Sequence, residues 1–457
     1  MCGIIGLYNN PEAGTFAYMG LYAQQHRGQE GAGIVTCDGD KMYSHTGQGL
    51  VSDVFSDSKI FDNLKGHYAI GHTRYSTTGE NNATNVGPLL FNLGDSFISI
   101  AHNGNLVNLT SIRKKLQKNG AIFQTTTDTE IIIHLLARRT EPTLTERIAG
   151  TLKEIEGAFS IIIISKEGLH IARDTKGIRP LCFGKLNDTI IVASETCALD
   201  LLGAQYIRDI NPGELLTVNN LGESSIQFET PDKNKSHCIF EYIYFSRPDS
   251  QVFGENVDKM RRKFGKTLAE ESTIDSADIV ISVPDSSNTC AMGYAATSNT
   301  KYEIGLIRNH YVGRTFIFPN QRLRSLNVRL KFNTVKGVLD NREVVLVDDS
   351  IVRGTTLRKL SQLLKDAGVK KVHVRISSPP VRYPCHYGMD FPTKDELAAN
   401  KHTVNELAEI IKVDTLNYLT IEGLLKSVSL NKDDYCTACF SGEYPIEIKD
   451  KVGKEIF

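Results

Sequence analysis

The sequence predicts a chain of two units, the second of them an α/β domain built on a doubly wound parallel sheet. Three observations carry that expectation. At 457 residues the chain exceeds one ordinary hydrophobic core. Its second half alternates apolar runs of strand length with helical patterns: strands at 279–283, 304–307, 344–347 and 372–376, and helices at 291–296 and 357–367. One string within it, residues 344–356 (VVLVDDSIVRGTT), joins a buried strand to an acidic pair and then to a loop of small residues that opens a helix.

Taken in order, that string describes a phosphosugar site. Val344, Val345, Leu346 and Val347 form the aliphatic run of a strand buried on both faces. Asp348 and Asp349 end it, at the carboxyl edge where open α/β sheets bind ligands, and their carboxylates suit sugar hydroxyls or Mg²⁺. Ser350, Arg353, Gly354, Thr355 and Thr356 follow. Hydroxyls and backbone N–H groups there, with the N-terminus of the next helix, make a cradle for phosphate. In that helix Leu357, Leu360, Leu363, Leu364 and Ala367 share a face, and Gly368 is the stop signal. No GxxxxGK[ST] occurs, which excludes a P-loop. A solvated acidic turn before a capped helix is the plainer reading of each part, but it leaves the whole string unexplained.

Composition narrows the class. Hydrophobic residues make up 40% and charged residues 23%, and the net charge is −1, so no overall field points to nucleic acid or to an acidic membrane surface. No apolar run reaches the roughly 18 residues a span needs, and the N-terminus lacks a signal-peptide pattern. A cytoplasmic protein is expected. Nine cysteines, an odd number, favour catalytic, metal-binding or buried thiols over a disulfide framework.

From the N-terminus the chain reads Met1-Cys2-Gly3. Removal of Met1 would leave Cys2 with a free α-amine, whose ordinary pKa of about 7.7 to 8.0 suits it to accept the thiol proton. Taken alone, Cys2 reads better as a small apolar residue opening an edge strand. Four further segments change the balance: 25–29 (QHRGQ), 72–77 (HTRYST), 101–105 (AHNGN) and 127–130 (TDTE). Arg74 suits the carboxylate of free glutamine and Asp128 its ammonium. Asn103 and the N–H of Gly104 are candidate donors to the oxyanion formed when a thiolate attacks the amide. Each has a bland alternative: a surface ion pair for Arg74, a tight turn for Asn103-Gly104, and a helix-terminal residue for Asp128. Residues 97–101 and 158–164 read as supporting strands, 211–213 (NPG) as a turn, 215–218 as a last strand, and 230–237 (TPDKNKSH) as a linker. A boundary follows near residue 231, giving units 2–230 and 231–457.

The motifs MCGI, HTRYST, HNGN and TDTE, in this order, resemble the class II glutamine amidotransferase domain. That resemblance implies an α+β N-terminal-nucleophile fold of αββα layering, with Cys2, Asn103 and Gly104 catalytic and Arg27, Arg74, Thr77 and Asp128 on glutamine. The string at 344–356 resembles the signature of the type I phosphoribosyltransferases, whose ligand is phosphoribosyl pyrophosphate (PRPP). Residues 239–250 resemble the entry to the transferase half of the glutamine PRPP amidotransferases. Within that family Pro284-Asp285-Ser286-Ser287 ends the first strand of the second domain, with Ser286 joining Asp348 and Asp349 around Mg²⁺ or pyrophosphate. Residues 309–316 (NHYVGRTF) resemble the loop that closes over PRPP, where Arg314 would reach a phosphate. His310 stands where the family more often has arginine.

Cys238, Cys385, Cys436 and Cys439 leave zinc, a redox pair and unrelated buried thiols open on sequence alone, since only the last two form a CxxC. Their surroundings, SSPPVRYPC and CTACFSGEYP, resemble the iron–sulfur ligand segments of the Bacillus-like subgroup, which implies a 4Fe-4S cluster. The resemblance further implies glutamine-dependent transfer of ammonia to PRPP in purine synthesis, inhibition by purine nucleotides, and a homotetramer. Two other classes remain: a different class II amidotransferase synthase, against which the DDSIVRGTT string speaks, and a non-catalytic PRPP or nucleotide sensor, against which the full set of glutaminase residues speaks.

Overall fold

The computed structural model describes residues 1–76, 79–94, 96–309 and 330–450. Thr77, Arg314 and the rest of the expected loop from His310 onward lie outside the described residues.

Two antiparallel sheets make up the first half. One runs Gln205–Asp209, Cys182–Leu186, Thr189–Ala193, Gly3–Tyr8, Tyr68–Arg74, Gly31–Cys37 and Met42–Gln48 from edge to edge. The other runs Gly222–Gln227, Glu214–Asn219, Gly168–Arg173, Gly157–Ser165, Ser96–Leu106 and Leu89–Leu93. Isoleucines explain the central strand Gly157–Ser165: β-branched side chains fit a pleated sheet buried on both faces, and every residue of that strand is buried. Ile162 and Ile164 pack between the sheets with Ile4, Val35 and Val192. Ile161 and Ile163 face the opposite way, against the helices Leu109–Lys118, Thr129–Leu136 and Leu144–Leu152. Helices Ala13–Ala23 and Thr196–Leu202 cover the outside of the first sheet. The layering is αββα, as the resemblance implied.

Gly3–Tyr8 lies in the centre of its sheet, paired with Tyr68–Arg74 so that Gly3 faces Thr73. That register brings Cys2 to the end of the strand that carries Arg74. Asn103 and Gly104 are not a turn. They sit inside the long strand Ser96–Leu106, with Asn103 opposite Ser160 and Gly104 opposite Phe159. Gly104 is required by space, since a Cβ there would lie 1.9 Å from the carbonyl oxygen of Ala158.

In the second half a five-stranded parallel sheet has the order Lys301–Tyr302, Ile279–Ser282, Glu343–Asp348, Lys371–Ile376, Thr415–Tyr418. In chain order this is 2-1-3-4-5, and the direction of winding reverses between the first and third strands, where a crevice must open. The expected strand at 304–307 is displaced. Leu306–Arg308 leaves the sheet and pairs with Phe332–Thr334 as an antiparallel hairpin, while Lys301–Tyr302 takes the sheet edge. A short apolar run reads alike in either setting. The closing strand Thr415–Tyr418 carried no sequence expectation.

The halves share a core. Val107, Ala158 and Ile178 from the first pack with Ile239, Tyr242, Phe264 and Tyr387 from the second. No described helix is long and apolar enough to cross a membrane.

Candidate active sites

The first site is assembled around Cys2 from segments far apart in sequence. The backbone N–H of Cys2 donates to Asn103 Oδ1 at 3.1 Å, and its thiol lies 3.7 Å from the carbonyl oxygen of Tyr75. Arg27 donates from Nε to the carbonyl oxygen of Cys2 at 3.0 Å. Burial works against a thiolate at Cys2, but the charge of neighbouring His72 leads the opposing effects and the thiol is pulled down to about 6. Asn103 is fully buried, and its Nδ2 has no hydrogen-bond partner among the described residues. A buried unsatisfied donor costs about 1–3 kcal/mol, so it persists where a ligand completes it. Here it sits on the side chain whose oxygen holds the nucleophile's own N–H.

Asp128 precedes the helix Thr129–Leu136 and is tied down by the N–H of Leu106 at 3.1 Å. Its Oδ1 lies 3.6 Å from His102 Nδ1. Burial opposes the charge on both members of this pair. Their mutual attraction wins, so the carboxyl is held below its ordinary range and the imidazole above its own. Arg74 is 5% exposed and donates to the carbonyl oxygen of Glu80 at 3.1 Å. Burial lowers its pKa against the pull of Cys2, Glu30 and Asp128, which places the expected carboxylate and ammonium holders around one nucleophile.

Arg27 differs from expectation. Its side chain is fully buried and engages Cys2, Glu195 and Glu241, the last in a two-pronged contact at 2.9 and 3.0 Å. With no exposed face and its guanidinium taken up by two glutamates, it holds the backbone of the nucleophile, a place that fits support of Cys2 better than the expected contact with glutamine. Glu195 and Glu241 had no sequence signal, because nothing local separates a buried acid from a surface one.

The second site lies at the reversal in the parallel sheet. A cleft of about 440 Å³ is lined by Pro284, Asp285 and Ser286 after the first strand and by residues 348–357 after the third. Asp348 and Asp349 are each 7% exposed. Ser287 donates to Asp348 at 3.1 Å, while Ser286 and Ser350 both donate to Asp349 at 2.6 Å. Burial, and for Asp348 the charge of its neighbour, push both carboxyls up. Gly354 takes φ +74° at the entrance to the helix Thr355–Asp366, a conformation that favours glycine. Arg353 lines the cleft, but its guanidinium is paired with Glu396 at 3.0 Å. Sequence reading missed Arg261, which is buried and donates to the carbonyl oxygens of Tyr242 and Ser246 at 2.7 and 2.8 Å while countering the charge of Asp349.

The third constellation is a small enclosed cavity walled by Cys238, Cys385, Cys436 and Cys439 together with Arg179, Phe240, Tyr387, Met389 and Phe391. Cys238 and Cys436 are register partners in a two-strand parallel pair, and Cys439 follows on the turn Ala438–Ser441. None of the four is in a disulfide. Burial pushes the thiol of Cys238 up to about 11 and those of Cys436 and Cys439 higher. Among the described residues no three His, Cys, Asp or Glu side chains converge closely enough for a single ion.

A family model for the glutamine amidotransferase domain matches residues 72–201. The amidophosphoribosyltransferase of Bacillus subtilis is 48% identical over 98% of this chain and 94% of its own length. A chloroplastic amidophosphoribosyltransferase of Arabidopsis thaliana is 47% identical over 99% of this chain and 80% of its own. Among solved structures, the glutamine PRPP amidotransferase of B. subtilis complexed with ADP and GMP superposes with a TM-score of 0.93 at 46% identity, covering 99% of both chains. A structure described as the allosteric regulatory enzyme of purine biosynthesis gives 0.94 at 47% identity, over 99% of this chain and 97% of that one. With identity of this order across nearly its whole length, and a glutaminase fold joined to a phosphosugar cleft, the chain belongs to the amidophosphoribosyltransferase family.

Proposed function

We propose that this protein hydrolyses glutamine at Cys2 and passes the ammonia to PRPP, forming 5-phosphoribosylamine, glutamate and pyrophosphate, the first committed step of purine synthesis. The observation that carries this reading is the pairing, in one chain, of a depressed thiol beside the unsatisfied Nδ2 of Asn103 with a buried acidic pair at the sheet's reversal point.

At the first site Cys2 attacks the glutamine amide, and its own nitrogen, once Met1 is removed, takes the thiol proton. Asn103 Nδ2 and the N–H of Gly104 receive the oxyanion, while Arg74 and Asp128 hold the α-carboxylate and α-ammonium. At the second site Asp348 and Asp349 hold the ribose hydroxyls, and Ser350, Gly354, Thr355 and Thr356 receive the 5-phosphate at the helix N-terminus. Two adjacent buried carboxyls with raised pKa values, Arg261 countering Asp349 alone, fit a divalent cation. Bound with PRPP, Mg²⁺ would neutralise the leaving pyrophosphate. Ser286 serves that site by orienting Asp349.

Four free thiols walling one apolar cavity fit a 4Fe-4S cluster. Such a cluster would pin the residues after the linker to the C-terminal segment. The two units divide at 230/231, the chain forms a homotetramer, and its place is the cytoplasm. Purine nucleotides inhibit it, a reading supported by the relative solved with ADP and GMP. The test is pyrophosphate release by protein purified without oxygen. It should require PRPP together with glutamine or ammonia, and release without either nitrogen donor would refute the reading.

A further inference from the structure

Arg179 stands between the four-cysteine cavity and the glutaminase site. Its side chain is fully buried in the segment that links two strands of the first half, yet it walls the cysteine cavity of the second. Nε and Nη2 donate to the carbonyl oxygen of Tyr387 at 2.9 and 2.5 Å. Nη1 has no hydrogen-bond partner among the described residues and lies 3.5 Å from Glu241 Oε1. That same oxygen accepts from Arg27 Nη2 at 2.9 Å, and Arg27 in turn donates to the carbonyl oxygen of Cys2. Three fully buried charges therefore form one chain of contacts from the cavity to the nucleophile.

A second connection runs alongside through the loop that bears Cys385. Asn105, next to Gly104 on the oxyanion strand, donates from Nδ2 to the carbonyl oxygen of His386 at 3.0 Å. Gly388 packs so closely that a Cβ there would lie 3.3 Å from both Arg179 Nη2 and the carbonyl of Gly104. Neither connection is used in the chemistry proposed above. Both make the cysteine cavity a support of the glutaminase site.

We infer that Arg179 is a positioning residue for Cys2, acting through Glu241 and Arg27, and that it makes the nucleophile responsive to the charge held in the four-cysteine cavity. The second half of this inference rests on the cluster proposed above, whereas the first stands on the contacts of Arg179 alone. A cluster ligated by four thiolates carries net negative charge, which Arg179 would balance at the point where it also balances Glu241. Without the guanidinium, Glu241 keeps only Arg27 as a charged partner, and the added negative potential disfavours the thiolate of Cys2.

The experiment uses the full chain purified without oxygen and compares the parent with Arg179→Gln and Arg179→Lys. Alkylation of Cys2 by iodoacetamide is followed against pH, with peptide mass analysis to identify the site. Iron, zinc, acid-labile sulfide and ammonia-dependent pyrophosphate release are measured in parallel. In Arg179→Gln the midpoint for Cys2 should rise by about one pH unit. Glutamine hydrolysis should lose about tenfold in kcat with little change in KM, because the substrate contacts are untouched. Arg179→Lys, which keeps the charge but cannot serve Tyr387 and Glu241 together, should recover part of the shift. Ammonia-dependent turnover should be preserved in both, which certifies the fold of the second site. An unmoved midpoint in Arg179→Gln with the fold intact overturns the inference; if that variant is insoluble, an unmoved midpoint in Arg179→Lys does so. A parent free of iron and sulfide would refute the cluster alone, and the alkylation profiles would still decide the role of Arg179.

Discussion

The two candidate active sites are built on opposite electrostatic plans. Around Cys2 nearly every charge is already answered: Arg27 by Glu195 and Glu241, and Asp128 by His102. The thiol is depressed before any substrate arrives. At the sheet's reversal the balance is left open, with two adjacent buried carboxyls whose pKa values are raised, whose hydrogen-bond partners are hydroxyls and the backbone, and of which Arg261 counters Asp349 alone. A nucleophile that must attack a neutral amide profits from a finished environment. A site that receives a cation and a polyanion profits from unpaid negative charge, because its ligand completes it. The contrast teaches where each half stores its strain: the glutaminase in one unsatisfied amide donor, the transferase in repulsion between carboxylates.

That contrast can be broken most severely at Cys2. Cys2→Ser should lower glutamine-dependent synthesis on the order of 10³-fold or more and leave synthesis from free ammonia within about twofold, since the sites are separate. Parallel assays with the two nitrogen donors read this out, and joint loss would contradict two independent sites. Asn103→Ala comes next, with a loss of about 10² to 10³ in kcat for glutamine hydrolysis and little change in KM, because the missing donor acts on the oxyanion.

Asp348→Asn sharpens the comparison from the other side. Turnover should fall about 10²-fold with either donor, because ribose and metal positioning serve both. The ligand-free protein should nonetheless melt about 2 °C higher, as like-charge repulsion is relieved. The pH dependence has a definite sign. With the folded carboxyl pKa above the unfolded one, this contribution to stability is full below the unfolded value and is lost as pH rises through the folded value. Melting of the parent and of Asp348→Asn should therefore converge in acid and separate toward neutral pH. A variant that melts lower at neutral pH would show that the carboxylate is satisfied without ligand.

Cys439→Ser should have the smallest effect on the transferase chemistry and a large one on yield, losing iron and solubility together while any folded fraction keeps near-parent turnover with ammonia. Retention of a full iron complement would remove Cys439 from the ligand set.

Legibility in the sequence followed the same division. The transferase cleft was readable because most of its groups are contiguous: one strand, its acidic end and one loop supply Asp348 through Thr356, and Pro284-Asp285-Ser286 adds a second strand end, whereas Arg261 comes from a helix with no signal of its own. The glutaminase residues were readable as separate motifs. Their supports were not, since Glu195, Glu241 and Arg179 are residue types that usually lie at the surface, and only tertiary packing makes them a buried network. The bland alternative for Asn103-Gly104, a tight turn, came from its composition alone. The strand beside it admits glycine for a reason invisible locally, the approach of Ala158. Residues 304–307 were assigned to the parallel sheet on apolar pattern alone, and that pattern does not distinguish a sheet strand from a hairpin that leaves the sheet.

The claim that the glutaminase site is complete before its substrate binds is tested most directly by alkylating Cys2 over a range of pH in ligand-free protein. The expected midpoint is about 6, with reactivity rising as pH rises through it, because the thiolate is the reacting form. A midpoint near the thiol's ordinary value of 9.0 would contradict the claim and leave activation of the nucleophile to substrate binding.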